Sequence, residues 1–187
     1  MIVIITAPSW AGKTTLVDHL LKEKGSKWKK PINFTTRQPR GLKASNVDEN
    51  GDYVESERDD YVFLTQSQFL AKRSNGDFAE TTDYNGNLYG VSKFFDRNEN
   101  YLVILEPNGR DELQRFCRNE KLPFRKVFID ISRETAIERM TKRWASKEDI
   151  KQRIATHSSF EPDATSLIVD GNGSFEDVLE ELKIFIN

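Results

Sequence analysis

The chain is poor in the residues that staple or metallate small proteins. Cys117 is its only cysteine, so no disulfide can form within it, as expected for a reducing cytosol. There are two histidines, His19 and His157. Both fall on predicted helices, and neither is paired in a way that suggests metal binding or acid–base work. No apolar run reaches the length of a membrane span. The run at residues 2–5 is too short for a secretion signal and has no basic lead. Charge of one sign is not in excess either. The net charge is -2, so no bulk attraction to nucleic acid or to an anionic membrane is expected. Internal repeats and low-complexity tails are absent. These absences point to a cytoplasmic protein without nucleic-acid or membrane partners; monomer and homodimer both stay open. Its 187 residues make one compact domain with a real core.

What is present gathers first in residues 7–15, APSWAGKTT. The preceding run, Ile2, Val3, Ile4, Ile5 and Thr6, is apolar and β-branched and reads as a buried strand. After the motif, Leu16, Val17, Leu20 and Leu21 recur at helical spacing. Strand, tight loop and helix, with Gly12, Lys13 and Thr14 closing the loop, fit the phosphate-loop pattern, with Ala7 at its first position. A polyphosphate needs many donors in a small volume. Backbone N–H groups supply them where side chains stay away, which Gly12 permits. The helix N-terminus adds roughly half a unit of positive charge. Lys13 can reach between the outer two phosphates, and Thr14 offers a hydroxyl to Mg²⁺. Trp10 is bulky for such a loop and is expected to point outward and cover the phosphates.

Four short apolar runs, at 2–5, 102–105, 127–131 and 167–169, alternate with helical stretches, which means a parallel sheet covered on both faces. Ser132 can cap a helix carrying Ala136, Ile137, Met140 and Trp144. Ser146 with Asp149 and Ser174 with Asp177 read as capping boxes. Leu113, Phe116 and Cys117 form a helical stripe, which makes Cys117 a core filler. Residues 31–92 break the alternation. There, short strands at 61–64, 78–82 and 88–91, a helix at 66–73 and a turn at Asn85-Gly86-Asn87 predict an inserted subdomain. Residues 43–60 are acidic and turn-rich and read as a solvated excursion.

Three further clusters carry chemistry. Arg37 and Arg40, three apart in TTRQPR, can aim forks at one anion. Glu80 on one strand and Tyr89 on its neighbour could face a cleft holding a base and a phosphate. Arg139 and Arg143 share a helix face, opposite Ile137, Met140 and Trp144. With Arg153 they suit neutralisation of charge in a transition state.

Together these pieces resemble the guanylate kinase family, in order and over nearly the whole chain. Ala7, Pro8, Ser9, Trp10, Ala11, Gly12, Lys13, Thr14 and Thr15 are similar to its ATP phosphate loop. Arg37 and Arg40 stand in a segment similar to the one whose arginines hold the GMP phosphate. Tyr61 resembles the tyrosine that touches the same phosphate. GDFAE and GNLYG look like the segments giving a guanine-binding glutamate, here Glu80, and a phosphate-binding tyrosine, here Tyr89. Glu106 in LVILEPNG stands where the family has an aspartate on the substrate and magnesium side. Arg139, Arg143 and Arg153 fall at the spacing of the lid arginines, and Asp170 stands where an asparagine near adenine is expected.

The resemblance implies an α/β fold of the P-loop NTPase type: a parallel sheet flanked by helices, an inserted mixed β/α NMP-binding subdomain and a helical lid. The core would be residues 1–32, 93–138 and 160–187, the insert about 33–92 and the lid about 139–159. It implies ATP-dependent phosphorylation of GMP or dGMP with Mg²⁺, with Lys13, Arg143 and Arg153 catalytic. The departures lie near the base pocket. Asn33 replaces a guanine-contacting serine. Val91 replaces a small hydroxyl residue, although Ser92 is adjacent. Lys43 replaces an acidic residue, and a long connection makes Tyr53 a rival of Tyr61. A broader deoxynucleoside monophosphate kinase is therefore the nearest alternative. A catalytically silent guanylate-kinase-like binding module is the other, and the intact Gly12, Lys13 and Thr14 argue against it.

Overall fold

The computed structural model describes residues 1–38, 61–84, 86–143 and 146–186. The excursion at 43–60, Arg40, Lys43, Tyr53, Asn85 and Trp144 lie outside these residues.

The apolar, β-branched opening folds as expected. β1 (Ile2–Thr6) is buried at every position and becomes the middle of the main sheet. The chain continues through α1 (Lys13–Lys22), β2 (Trp28–Lys29) and β3 (Asn33–Thr35). After the segment outside the described residues come β4 (Tyr61–Phe63), α2 (Gln66–Ser74), β5 (Phe78–Tyr84) and β6 (Asn87–Ser92). Then follow β7 (Asn100–Ile104), α3 (Pro107–Asn119), β8 (Phe124–Asp130), α4 (Arg133–Lys142), α5 (Lys147–Ala155), β9 (Leu167–Asp170) and α6 (Phe175–Ile186).

The main sheet has the order β2-β7-β1-β8-β9 and every pairing in it is parallel. Alternation along β1 divides the core in two. Val3 and Ile5 join Leu16, Val17 and Leu20 of α1, Ala136 and Met140 of α4, and the apolar stripe of α6. Ile2 and Ile4 join Leu113 and Cys117 of α3 on the other face. Cys117 is thus a core filler, and burial pushes its thiol up to about 11, which makes it inert. Filling such a position is worth about 2 kcal/mol per large aliphatic side chain.

The four expected core strands are β1, β7, β8 and β9. Two strands, β2 and β3, were not anticipated, because two or three residues leave no readable period. The inserted region is a second sheet, order β4-β3-β6-β5, parallel between β3 and β4 and antiparallel elsewhere. α2 covers one face of it, with Phe69 stacked on Phe78 at 4.6 Å and Phe34 edge-on to Phe78 at 5.5 Å.

The caps follow the sequence with two changes. Ser174 and Asp177 form the reciprocal box, Ser174 N–H to Asp177 Oδ2 at 3.3 Å and Asp177 N–H to Ser174 Oγ at 3.2 Å. Ser146 accepts from the Asp149 N–H at 3.1 Å, but Asp149 receives the Ser146 hydroxyl rather than its backbone N–H. A further box, Thr65 with Gln68, starts α2. Ile137, expected on the buried face of α4, is 36% exposed, because the buried stripe there runs through Ala136 and Met140. His19 is partly exposed in α1, beside Glu23. His157 sits in a 3-10 turn, His157–Ser159, rather than in an α-helix. Its Nε2 is buried with no hydrogen-bond partner among the described residues.

Candidate active site

The phosphate loop leaves the carboxyl end of β1, the central strand, and enters α1. Gly12 is the N-cap of α1 in the left-handed conformation, φ 84°, which a glycine adopts without strain. No side chain caps this helix. Its first-turn N–H groups therefore have no partner within the helix and point into a cleft of about 580 Å³. Residues 9–16 line that cleft with Arg139, Lys142, Arg143 and Arg153. Lys13 Nζ donates to the carbonyls of Ala7 at 2.6 Å and Pro8 at 3.0 Å, and the Phe160 ring lies 5.6 Å away. Burial pushes the Lys13 ammonium down to about 8, with Glu106 opposing. Burial likewise raises the Glu106 carboxyl, with Lys13 opposing. Each is thus near enough for its charge to favour the charged form of the other. Glu106 is the N-cap of α3, but its side chain makes no cap hydrogen bond, which leaves its oxygens for other partners.

The cations come from α4, its C-cap and α5. Arg139 donates to the carbonyls of Trp10 at 3.4 Å, Gly171 at 2.7 Å and Gly173 at 3.3 Å. It therefore ties the loop to the turn after β9. Trp10 departs from expectation: it is half-buried rather than turned outward. The guanidinium carbons of Arg143 and Arg153 lie 5.7 and 5.9 Å from its ring.

A second group of residues occupies one face of the smaller sheet. Asn33 is in register with Tyr61 on one side and Val91 on the other. The rings of Tyr61 and Tyr89 meet edge-on at 5.9 Å. Arg37 follows β3 directly. Its N–H donates to Thr35 Oγ1 at 3.0 Å, and its guanidinium carbon lies 5.9 Å from the Phe63 ring.

Glu80 reaches this face through an irregularity. Strand alternation alone would put Glu80 with Phe78, against α2. The ladder instead pairs Phe78 with Ser92 and Glu80 with Val91, a one-residue bulge at Ala79. Phe78 stays on the α2 side, and Glu80 turns to the side of Val91. There it is 2% exposed and burial pushes its carboxyl up to about 7. A hydrogen bond from the Thr82 hydroxyl opposes that rise and the nearby Glu112 carboxylate adds to it. A β-carbon on Gly109 would lie 2.6 Å from Glu80 Oε1, so only glycine lets α3 come this close. Thr81 N–H donates to Glu112 Oε2 at 3.0 Å. The first turns of α3, directly after Glu106, are thus the joint between the two groups of residues.

Of the residues singled out from sequence, Ser9, Trp10, Ala11, Gly12, Lys13, Thr14, Thr15, Arg139, Arg143 and Arg153 share the cleft. Asn33, Arg37, Tyr61, Glu80, Tyr89 and Val91 belong to or adjoin the smaller sheet. Asp170 stands apart: its carboxylate is exposed, accepts from the Asn172 N–H at 3.0 Å and Nδ2 at 2.7 Å, and is held below its usual range by these bonds. Thr82, Gly109, Glu112, Lys142 and Phe160 were not anticipated. Thr82 was within reach, since it lies two residues from Glu80 on the same strand.

A parallel sheet whose central strand runs through a glycine–lysine loop into a helix, ringed by arginines, defines a P-loop phosphotransferase. Comparison with known proteins narrows the class. The guanylate kinase family model matches residues 1–187. The guanylate kinase of Hahella chejuensis is 32% identical over 188 residues, 96% of this chain and 82% of that one. That of Chlamydia felis is 31% identical over 168 residues, 87% of this chain and 74% of that one. In fold, the crystal structure of guanylate kinase from Anaplasma phagocytophilum superposes with a TM-score of 0.69 at 21% identity, covering 100% of this chain and 84% of that one. The chain belongs to the guanylate kinase family, whose members are nucleoside monophosphate kinases. No helix among the described residues is long and apolar enough to cross a membrane.

Proposed function

We propose that the chain transfers the γ-phosphoryl group of ATP to the phosphate of GMP or dGMP, giving ADP and GDP or dGDP, in the cytosol. The observation that carries this is the pairing of a phosphate loop with a second polar face on which a buried carboxyl, two tyrosines and an arginine sit together. The acceptor phosphate is already an anionic nucleophile, so no strong general base is needed, and catalysis rests on positioning and charge neutralisation. In this reading Lys13 leaves the carbonyls of Ala7 and Pro8 and takes charge on the outer phosphates of ATP. Arg37, Arg40, Tyr61 and Tyr89 hold the acceptor phosphate, and Asn33, Glu80 and Val91 face the base. Arg143 and Arg153 neutralise the transferred group, and Arg139 fixes the loop. The 139–159 lid and the 33–92 insert close on the core and exclude water, which prevents idle ATP hydrolysis.

Among the described residues no group of three His, Cys, Asp or Glu side chains could hold a metal ion. The Thr14 hydroxyl and the Glu106 carboxylate are hard oxygen donors of the kind Mg²⁺ takes. They fit an ion that arrives on the ATP phosphates rather than one caged by protein. Bound there, Mg²⁺ would neutralise charge on the phosphates.

The test is a coupled ADP-release assay with each (deoxy)nucleoside monophosphate; no turnover on any of them ends the proposal. The broader deoxynucleoside monophosphate kinase is favoured by one observation: Val91, directly across from Glu80, brings no hydroxyl to the base pocket. A site with every polar partner in place rejects a wrong base by roughly 10⁴-fold. Comparable rates on GMP, dGMP, dTMP and AMP would select the broader reading. A silent binding module would show no turnover that Lys13→Ala could abolish.

A further inference from the structure

We infer that Trp10 is a positioning residue for phosphoryl transfer: its ring is a platform on the phosphate loop that gathers Arg143 and Arg153 beside the transferred group. This rests on the reading that the loop holds ATP. Trp10 takes φ 70°, and among the described residues the other non-glycine with positive φ is Lys121. A residue with a β-carbon is strained in that conformation. It persists only where its surroundings over-determine it, and such positions cluster at functional sites.

Two contacts fix Trp10 in place. Its carbonyl accepts from Arg139 Nη1, and its ring packs on the core beneath the loop. Its Nε1 is buried without a hydrogen-bond partner among the described residues, so no hydrogen bond of its own accounts for the placement of the ring. What the strained conformation achieves is a ring within 6 Å of two guanidinium groups. They come from different elements, Arg143 capping the C-terminus of α4 and Arg153 lying in α5. Both arginines are otherwise exposed. Two like charges do not converge unaided. The negative face of an indole, the strongest of the aromatic cation acceptors, offsets their repulsion until an anion replaces it. Arginines gathered beforehand need less ordering at the moment of transfer.

The experiment compares wild type, Trp10→Phe, Trp10→Gly and Arg153→Ala, with Trp10→Gly combined with Arg153→Ala, by steady-state kinetics and thermal unfolding. Glycine relieves the φ 70° strain but gives up the packing of the ring on the core, so Trp10→Gly should melt within a few degrees of wild type while kcat falls about 10-fold or more, far beyond what that shift in stability explains. KM for GMP should stay within about twofold, since the ring faces the ATP side. Trp10→Phe keeps a ring and should recover kcat to within a few-fold of wild type. Because Trp10 acts through the arginines, Trp10→Gly should cost little more once Arg153 is gone. A Trp10→Gly kcat equal to or above wild type would overturn the inference, since the ring would then hold the arginines back. So would a loss of kcat that tracks a fall in melting temperature, a failure of Trp10→Phe to recover activity, or full additivity with Arg153→Ala. Turnover by the wild type that Lys13→Ala abolishes keeps the kinase reading intact in every one of these cases.

Discussion

Replacing Glu80 by glutamine should make the nucleotide-free protein more stable at pH 8 while nearly removing its use of GMP. Burial lifts this carboxyl from an ordinary 4.5 to about 7. At about 1.4 kcal/mol per pH unit, ionising it in the fold above pH 7 costs roughly 3 kcal/mol relative to the unfolded chain. Between pH 4.5 and 7 the native state holds a proton that the unfolded state has lost, so stability declines as pH rises through that window. Glutamine has nearly the same shape, keeps an oxygen for the Thr82 hydroxyl and never ionises. The variant should lack the decline and, above pH 7, gain up to about 3 kcal/mol, or roughly 6–12 °C in melting temperature for a chain of this size. Thermal and urea unfolding of both proteins from pH 4.5 to 8, without nucleotide, read this directly. Parallel stability curves, or a variant less stable than wild type at pH 8, would refute the account of Glu80 as a carboxylate held against its own preference. In the kinetic assay the same variant should lose about 100-fold or more in kcat/KM for GMP if, as proposed, Glu80 accepts hydrogen bonds from guanine.

Lys13→Met should abolish transfer, by about 1,000-fold in kcat, without unfolding the protein. Burial lowers this ammonium to about 8, so wild-type stability should rise as pH increases from 8 toward 10.5, and the variant should lack that rise in pH-dependent melts. Val91→Thr brings a hydroxyl opposite Glu80 and should widen the ratio of GMP to AMP turnover by about tenfold; an unchanged ratio would place the discrimination elsewhere. Asp163→Asn should destabilise the fold by about 3 kcal/mol, read by urea titration. Asp163 is the ion-pair partner of buried Lys126, which the change would strand; Arg110, 3.7 Å from Asp163, keeps its shorter pair with Asp111. Although its own burial works the other way, hydrogen bonds from Lys126 and Thr165 hold its carboxyl below the usual range.

Local period carried most of the fold into the sequence. Ile2–Thr6 and the runs that became β7 and β8 form the centre of the main sheet, where a parallel strand covered on both faces has no polar side to disguise it; the run that became β9 forms its edge. β2 and β3 were illegible, since their place is set by neighbours distant in sequence rather than by their own residues. The phosphate loop was legible because spacing along one loop fixes which groups converge, and Arg139 and Arg143 were legible as a pair by their spacing of four, whereas Arg153 joins them from α5. Placement of Trp10 was not: the contacts that turn it inward come from Arg139, Arg143 and Arg153, more than a hundred residues away. The ion cluster of Arg110, Lys126 and Asp163 was missed for the same reason. Its cations read as surface residues until the fold brings Asp163 across 37 positions to Lys126. Glu80 lies on a face that its own strand alternation denies it.

If Glu80 reads the base, as proposed, substrate choice in such a chain can change by length as well as by exchange. Ala79 is a spare link in β5, and Glu80 looks toward α3 only because the link is there. Losing it would not merely shorten an edge. It would turn the Glu80 carboxyl to the opposite side of the sheet, among the phenylalanines, with no amino acid exchanged. Insertions and deletions of a single codon, usually thought of as events of loops, would here rewrite the selectivity of the enzyme from inside a strand.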